Sequence, residues 1–177
     1  MYNKYVTGQH FIGRKEDCAI LTNLLAQGEN VVLWEPVGAG KKSIVHQVLT
    51  RMRVSGSRFV TGEVTALDIR SNELFAKRFG SAVIRLVAST PDEYSQIVSK
   101  YLSGTHLVFD KTAYSTSDTI LSTNWDLGEN DIKEILRLPY RIAEDRGERI
   151  IMIIDEFQNL DHRGRGETVQ DDGGGDR

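Results

Sequence analysis

A single cysteine, Cys18, stands in 177 residues, which excludes an internal disulfide and fits a reducing compartment such as the cytoplasm. No apolar run approaches the length that spans a bilayer, so no membrane partner is expected. Tyr2, Asn3 and Lys4 lead into no apolar core, and no signal peptide is expected. The histidines His10, His46, His106 and His162 lack metal-ligand spacing, and no internal repeat is visible. Excess charge of one sign is also missing. The net charge is −3, so nothing global recruits a polyanion, and a nucleic-acid partner is not expected for this chain alone. What remains is an ordinary globular composition, 40% apolar and 27% charged, of a length that suits one domain with a real core.

The most informative stretch runs from Val31 to Thr50, VVLWEPVGAGKKSIVHQVLT. Val31, Val32, Leu33 and Trp34 form a continuous apolar run, which predicts a strand buried on both faces with Trp34 in the core. Pro36, Val37, Gly38, Ala39 and Gly40 follow as a turn. Lys41 and Lys42 then open a segment with Ile44, Val45, Val48 and Leu49 at helical spacing. Strand, glycine turn, lysine and helix are the parts of a phosphate-binding loop. Amides released by the glycines and by the helix start point into one concavity, and the lysine ammonium adds a point charge. The strict pattern asks for glycine, four residues, Gly-Lys, then Ser or Thr. Glu35 occupies the first glycine's place, Lys42 takes the hydroxyl's, and Ser43 falls one position late. From the loop alone, a phosphate site and a lysine-rich junction without chemistry stand level.

The rest of the chain alternates helices and strands. Arg14 to Gln27 predicts an amphipathic helix with Ile20, Leu21, Leu24 and Leu25 on one stripe and Gly28 as its stop. Phe59 to Ile69 predicts a strand carrying Asp68 near its end, and Asn72 to Val87 a helix with Gly80 as a weak point. Thr90-Pro91-Asp92-Glu93 is a helix start with a hydroxyl cap, an N1 proline and an acidic N3. Leu107-Val108-Phe109 is ambiguous, and the Ser- and Thr-rich residues 111–126 predict a loop. A helix resumes at Asp131, with Pro139 expected to kink or restart it. Arg149 to Ile154 predicts a second buried strand, ending on Asp155-Glu156. Residues 161–177 carry almost nothing apolar and are expected to be disordered. Such alternation argues for an α/β fold with a mostly parallel sheet.

An acidic pair closing an apolar parallel strand lies on the edge where α/β folds bind ligands. Taken alone, Asp155-Glu156 is more simply a solvated strand end. Beside the Lys41 loop, it becomes the second half of a nucleotide site, with Asp155 as magnesium ligand and Glu156 as the group that orients or deprotonates water.

Three segments together resemble the archaeal and bacterial ATPase-domain proteins, an AAA-related, signal-transduction branch of the P-loop NTPases. They are Phe11-Ile12-Gly13-Arg14-Lys15-Glu16, the loop from Trp34 to Ile44, and Ile153-Ile154-Asp155-Glu156-Phe157-Gln158-Asn159-Leu160. The resemblance implies a three-layer α/β/α fold, ATP and magnesium as cofactors, and ATP hydrolysis in the full-length relative. By that likeness Gly38, Gly40 and Lys41 would hold the β- and γ-phosphates, within a loop that also includes Pro36, Val37, Ala39, Lys42 and Ser43. Glu156 would be the catalytic base, Asp155 the magnesium ligand through water, and Gly13 and Arg14 would shape the entrance near the nucleobase. Lys42 unsettles the hydroxyl on magnesium, because Ser43 lies about 100° further round the helix and replaces it only in a shifted loop. Glu35 puts a negative charge near the phosphates and is expected to point away or to lower affinity.

The family's sheet has a middle strand, a sensor residue, an arginine and a helical lid after the acidic motif, whereas nothing apolar follows Leu160 here. The expectation is therefore an incomplete sheet with unpaired edges, the amino-terminal piece of a larger ATPase. Such a chain is expected to bind nucleotide weakly, or to fold poorly, rather than turn over. Homo-oligomer or partner-protein contacts would come through the missing part. Two further readings stand beside this one: a non-catalytic interaction module that kept the fold, and a DNA-linked ATPase. Cys18 is expected in packing. Asp68 is expected in a structural role ahead of facing a nucleotide or a partner, and Lys77, Arg78 and Arg85, with the cluster Arg51, Arg53 and Arg58, are expected on solvated faces.

Overall fold

The computed structural model describes residues 5–36 and 38–160. Contacts divide the chain into two compact units, Met1–Phe59 and Val60–Arg177. The tail 161–177 and Val37 lie outside the described residues.

In the first unit, α1 (Lys15–Gln27) packs on α2 (Lys41–Val54). Helix α1 buries Cys18 and Leu21, while Ile20 of the expected stripe is 59% exposed. Helix α2 buries Ile44, Gln47, Val48, Leu49 and Met52, the face that the helical spacing of its apolar residues defines. Gly28 ends α1 in the left-handed region, where its N–H reaches the Leu24 carbonyl and glycine pays no Cβ penalty.

The second unit carries β1 (Phe59–Thr65, starting on the boundary residue), α3 (Asn72–Val87), α4 (Pro91–Tyr101), β2 (Leu107–Phe109), β3 (Leu121–Thr123), α5 (Glu129–Arg146) and β4 (Arg149–Asp155). Ile135, Leu138 and Ile142 of α5 are fully buried in one cluster with Phe79, Val83 and Ile84 of α3. Ile150, Met152 and Ile154, alternate residues of β4, pack against the same cluster, as the period of two requires. Helix α5 is continuous through Pro139, so it does not restart there. The ends of α3 and α4 are locally encoded: Ser71 Oγ accepts from Leu74 N–H, and Thr90 with Glu93 forms a reciprocal capping box. Replacing Thr90 by Ala is expected to cost about 1 kcal/mol, read as a lower urea midpoint for the second unit. An unchanged midpoint would show that Glu93, which also accepts from Ser89 N–H at 2.7 Å, carries this helix start alone.

The three-layer NTPase sheet expected from the sequence is not formed. Strand β1 pairs with β4 as a parallel pair, β2 pairs with β3 as an antiparallel one, and the two sheets are separate. The Val31–Trp34 run, expected as a buried central strand, lies outside every strand, with Val32 81% and Trp34 88% exposed. Four apolar residues record a tendency to be buried, but a strand exists only where a ladder partner satisfies its backbone. The ambiguous Leu107–Phe109 piece finds such a partner inside the supposed loop, with Val108 opposite Ser122. That pairing closes a hairpin-like sheet of its own instead of extending a parallel one. Among the described residues, no helix is long and apolar enough to cross a membrane.

Candidate nucleotide-binding loop and acidic strand end

Gly38 and Gly40 both hold left-handed backbone, at φ 84° and 83°, and the space around them is open. Glycine is required there by conformation, not by close approach. Ala39 N–H donates to the Pro36 carbonyl at 3.2 Å, which tightens the turn, and Gly40 then becomes the N-cap of α2. Gly40 brings no side-chain acceptor, and the first turn of α2 has no acidic residue. The positive end of the helix dipole stands behind this turn.

The cations near the turn fold back onto it. Lys41 Nζ donates to the carbonyls of Glu35, at 2.8 Å, and Pro36, at 3.4 Å. Gly13, at φ 82°, and Arg14, at φ 52°, place two consecutive left-handed residues at the entry to α1. From there the Arg14 guanidinium reaches Glu35 with both terminal nitrogens, one at 2.7 Å to Oε2. It also donates to the Ala39 carbonyl at 3.0 Å and to Asp17 at 2.8 Å. The hydrogen bond from Arg14 outweighs partial burial and holds the Glu35 carboxyl below the usual glutamate range, with the charges of Arg14 and Lys41 adding to the effect. Glu35 thus points at Arg14, a partner that no local spacing reveals.

Ser43, the displaced hydroxyl, accepts the Val6 N–H at 2.9 Å. One turn on, Gln47 accepts the Gly8 N–H at 2.6 Å, and Tyr5 stacks on His46 at 3.8 Å between ring centres. These contacts lay the segment before α1 along α2. Lys42 is half-buried beside them.

In the second unit β4 delivers Asp155, whose carbonyl accepts Ala66 N–H at 2.8 Å. Glu156 turns left-handed at φ 56°, and a short 3₁₀ turn, Phe157–Leu160, follows. Gln158 Nε2 donates to Glu156 Oε2 at 2.6 Å, and Asn159 donates its N–H and its Nδ2 to the Glu156 carbonyl at 3.0 and 3.1 Å. The result is an exposed carboxylate on a fixed corner. Arg14 and Glu156 are the two non-glycine residues with positive φ among the described ones, and residues held so tend to gather at functional sites.

The structure brings Arg14, Glu35, Ala39 and Lys41 together in the first unit, and Asp155, Glu156, Gln158 and Asn159 together in the second. Other candidates lie in other surroundings. Cys18 is buried, Trp34 is exposed instead of core, and Arg78 grips Asp68 with both terminal nitrogens. Arg85 caps the carbonyls of Tyr114, Ser117 and Asp118.

One buried carboxylate escaped the sequence. Asp131, 3% exposed, accepts from the His106 N–H at 2.9 Å, the His106 ring at 3.0 Å and the Gly128 N–H at 2.7 Å. Burial alone would raise its pKa, but these hydrogen bonds prevail and hold it below the usual aspartate range. Its contribution to stability is therefore complete above the unfolded-state value and is lost as pH falls through the lower folded value. Asp131→Asn is expected to flatten the acid side of a urea-midpoint-against-pH curve below about pH 4, relative to the wild type. Parallel curves would assign that acid loss to the other paired carboxylates.

No family model, no curated protein and no solved structure matches this chain.

Proposed function

We propose that the turn Pro36–Gly40 and the start of α2 bind the phosphates of ATP with magnesium. The observation that carries this reading is the conjunction at one helix end. Two left-handed glycines lead into an amide-rich N-terminus without a side-chain cap, and the Lys41 ammonium is folded over the same turn. Amides and dipole favour an anion there, and the lysine can exchange weak carbonyl acceptors for phosphate oxygens. The resemblance of the Phe11–Glu16, Trp34–Ile44 and Ile153–Leu160 segments to AAA-related ATPases supports ATP as the ligand and hydrolysis as the chemistry. By the same resemblance Asp155 would hold magnesium through water and Glu156 would position the attacking water. The strained corner at Glu156 supports a role for its carboxylate.

A non-hydrolytic version of the same site is favoured by Ser43, whose oxygen carries the Val6 amide while Lys42 stands where a metal-binding hydroxyl belongs. Calorimetric titration with MgATP tests the binding. Saturable heat in the wild type that Lys41→Ala diminishes supports the reading, and no heat in either ends it. ATP turnover by the same preparation, compared with Glu156→Gln, separates the hydrolytic from the non-hydrolytic version.

A further inference from the structure

We propose that Glu35 is a built-in competitor for the incoming phosphates, holding the loop closed on its own cations until a polyphosphate displaces it. This inference rests on the phosphate-binding reading of the same loop. Glu35 stands immediately before the turn and engages both cations that flank it. Its carboxylate takes the fork of Arg14, and its carbonyl takes Lys41 Nζ at 2.8 Å. Arg14 also ties the far side of the turn through the Ala39 carbonyl at 3.0 Å. One guanidinium therefore ties the residue before the turn to the residue between its two glycines, and a carboxylate occupies the guanidinium that an anion would seek.

The pair is exchangeable. The Arg14 and Glu35 side chains retain 32% and 26% of their exposure, so water reaches the contact and no buried charge is stranded when it opens. A guanidinium recognises a carboxylate and a phosphate through the same two-pronged geometry, which lets phosphate take Arg14 once Glu35 rotates away. Binding is weakened by the fraction of molecules in the closed form. In this scheme Arg14 serves twice, as the clamp in the empty loop and as a phosphate donor in the filled one.

Glu35→Gln keeps the size of the side chain and removes its charge. It is expected to tighten MgATP binding about 3- to 10-fold. In an Arg14→Gln background the same change is expected to yield no gain, because the competitor acts through that guanidinium. Amide exchange across residues 34–42 without nucleotide should be faster in Glu35→Gln than in the wild type, with protection of α1 and α2 retained. That retained protection is also the check that the variant is folded. Wild-type binding accompanied by equal or weaker binding to folded Glu35→Gln overturns the competitor and leaves the nucleotide site standing. A gain that persists with Arg14 replaced also overturns it. Absence of MgATP binding in both folded proteins overturns the nucleotide site and the competitor together.

Discussion

Lys41→Ala is expected to weaken MgATP binding about 10- to 100-fold while leaving the fold intact. Hydrogen bonds to a charged group contribute about 1.5–3 kcal/mol each, and every 1.4 kcal/mol is tenfold in affinity. The upper end applies because the ammonium adds a full charge to a turn whose main-chain donors are neutral amides. Lys41 donates to the main-chain carbonyls of Glu35 and Pro36 from a half-buried side chain. Losing those bonds is tolerable, since both carbonyls belong to a turn and face water readily. The substitution therefore separates binding from folding. Calorimetry gives the affinity, and circular dichroism confirms the helices. An unchanged dissociation constant would move the phosphates away from this helix start altogether. Arginine at the same position is not equivalent, because its wide planar fork cannot act as a compact point charge above the glycines.

Ile135→Ala is expected to destabilise the second unit by about 2–5 kcal/mol, the range for truncating a buried aliphatic side chain. Ile135 is fully buried and packs where α3 has no side chain to offer. A Cβ built at Gly80 would lie 2.5 Å from Ile135 Cδ1, 2.7 Å from Leu121 Cδ1 and 3.1 Å from Ile135 Cγ1. Gly80 looks like a weak point in a helix, yet it is the notch into which α5 and β3 press their side chains. Truncating Ile135 empties that notch, and the neighbouring Phe79 and Leu121 can refill it only partly. The double mutant tests the packing itself. Gly80→Ala overfills the wild-type core, but in the Ile135→Ala background two of the three nearest atoms are gone and the third is the tip of Leu121. There the added methyl group is expected to recover about 1 kcal/mol of helix propensity. Urea unfolding of the four proteins measures both effects. A cost below about 1 kcal/mol for Ile135→Ala would mean that the notch is loosely filled.

Much of the second unit was legible residue by residue. Asn72–Val87 and Pro91–Tyr101 follow from apolar spacing and the Thr90–Glu93 capping box, which act within a turn or two of the chain. The strand ending at Asp155 follows from its β-branched run. The hairpin-like pairing of β2 with β3 was not legible, because Leu107 and Thr123 meet across a Ser- and Thr-rich connection that shows no period. The site was half legible. Its residue types could be named from spacing: the glycines, Lys41 and the acidic pair. The Arg14–Glu35 contact could not, since it spans 21 positions and carries no periodic trace.

The amino-acid order by itself determined where helices start and stop, which glycines must turn left-handed and which charges stand at a helix start or a strand end. These depend on backbone preference and on neighbours three or four residues away. Only the tertiary structure decided that Val31–Trp34 stays outside a sheet, that four strands form two separate pairs, and that Glu35 is gripped by Arg14. Each of those outcomes depends on a hydrogen-bond or ion-pair partner far along the chain, and a local pattern can express the need for a partner without specifying which one fills it.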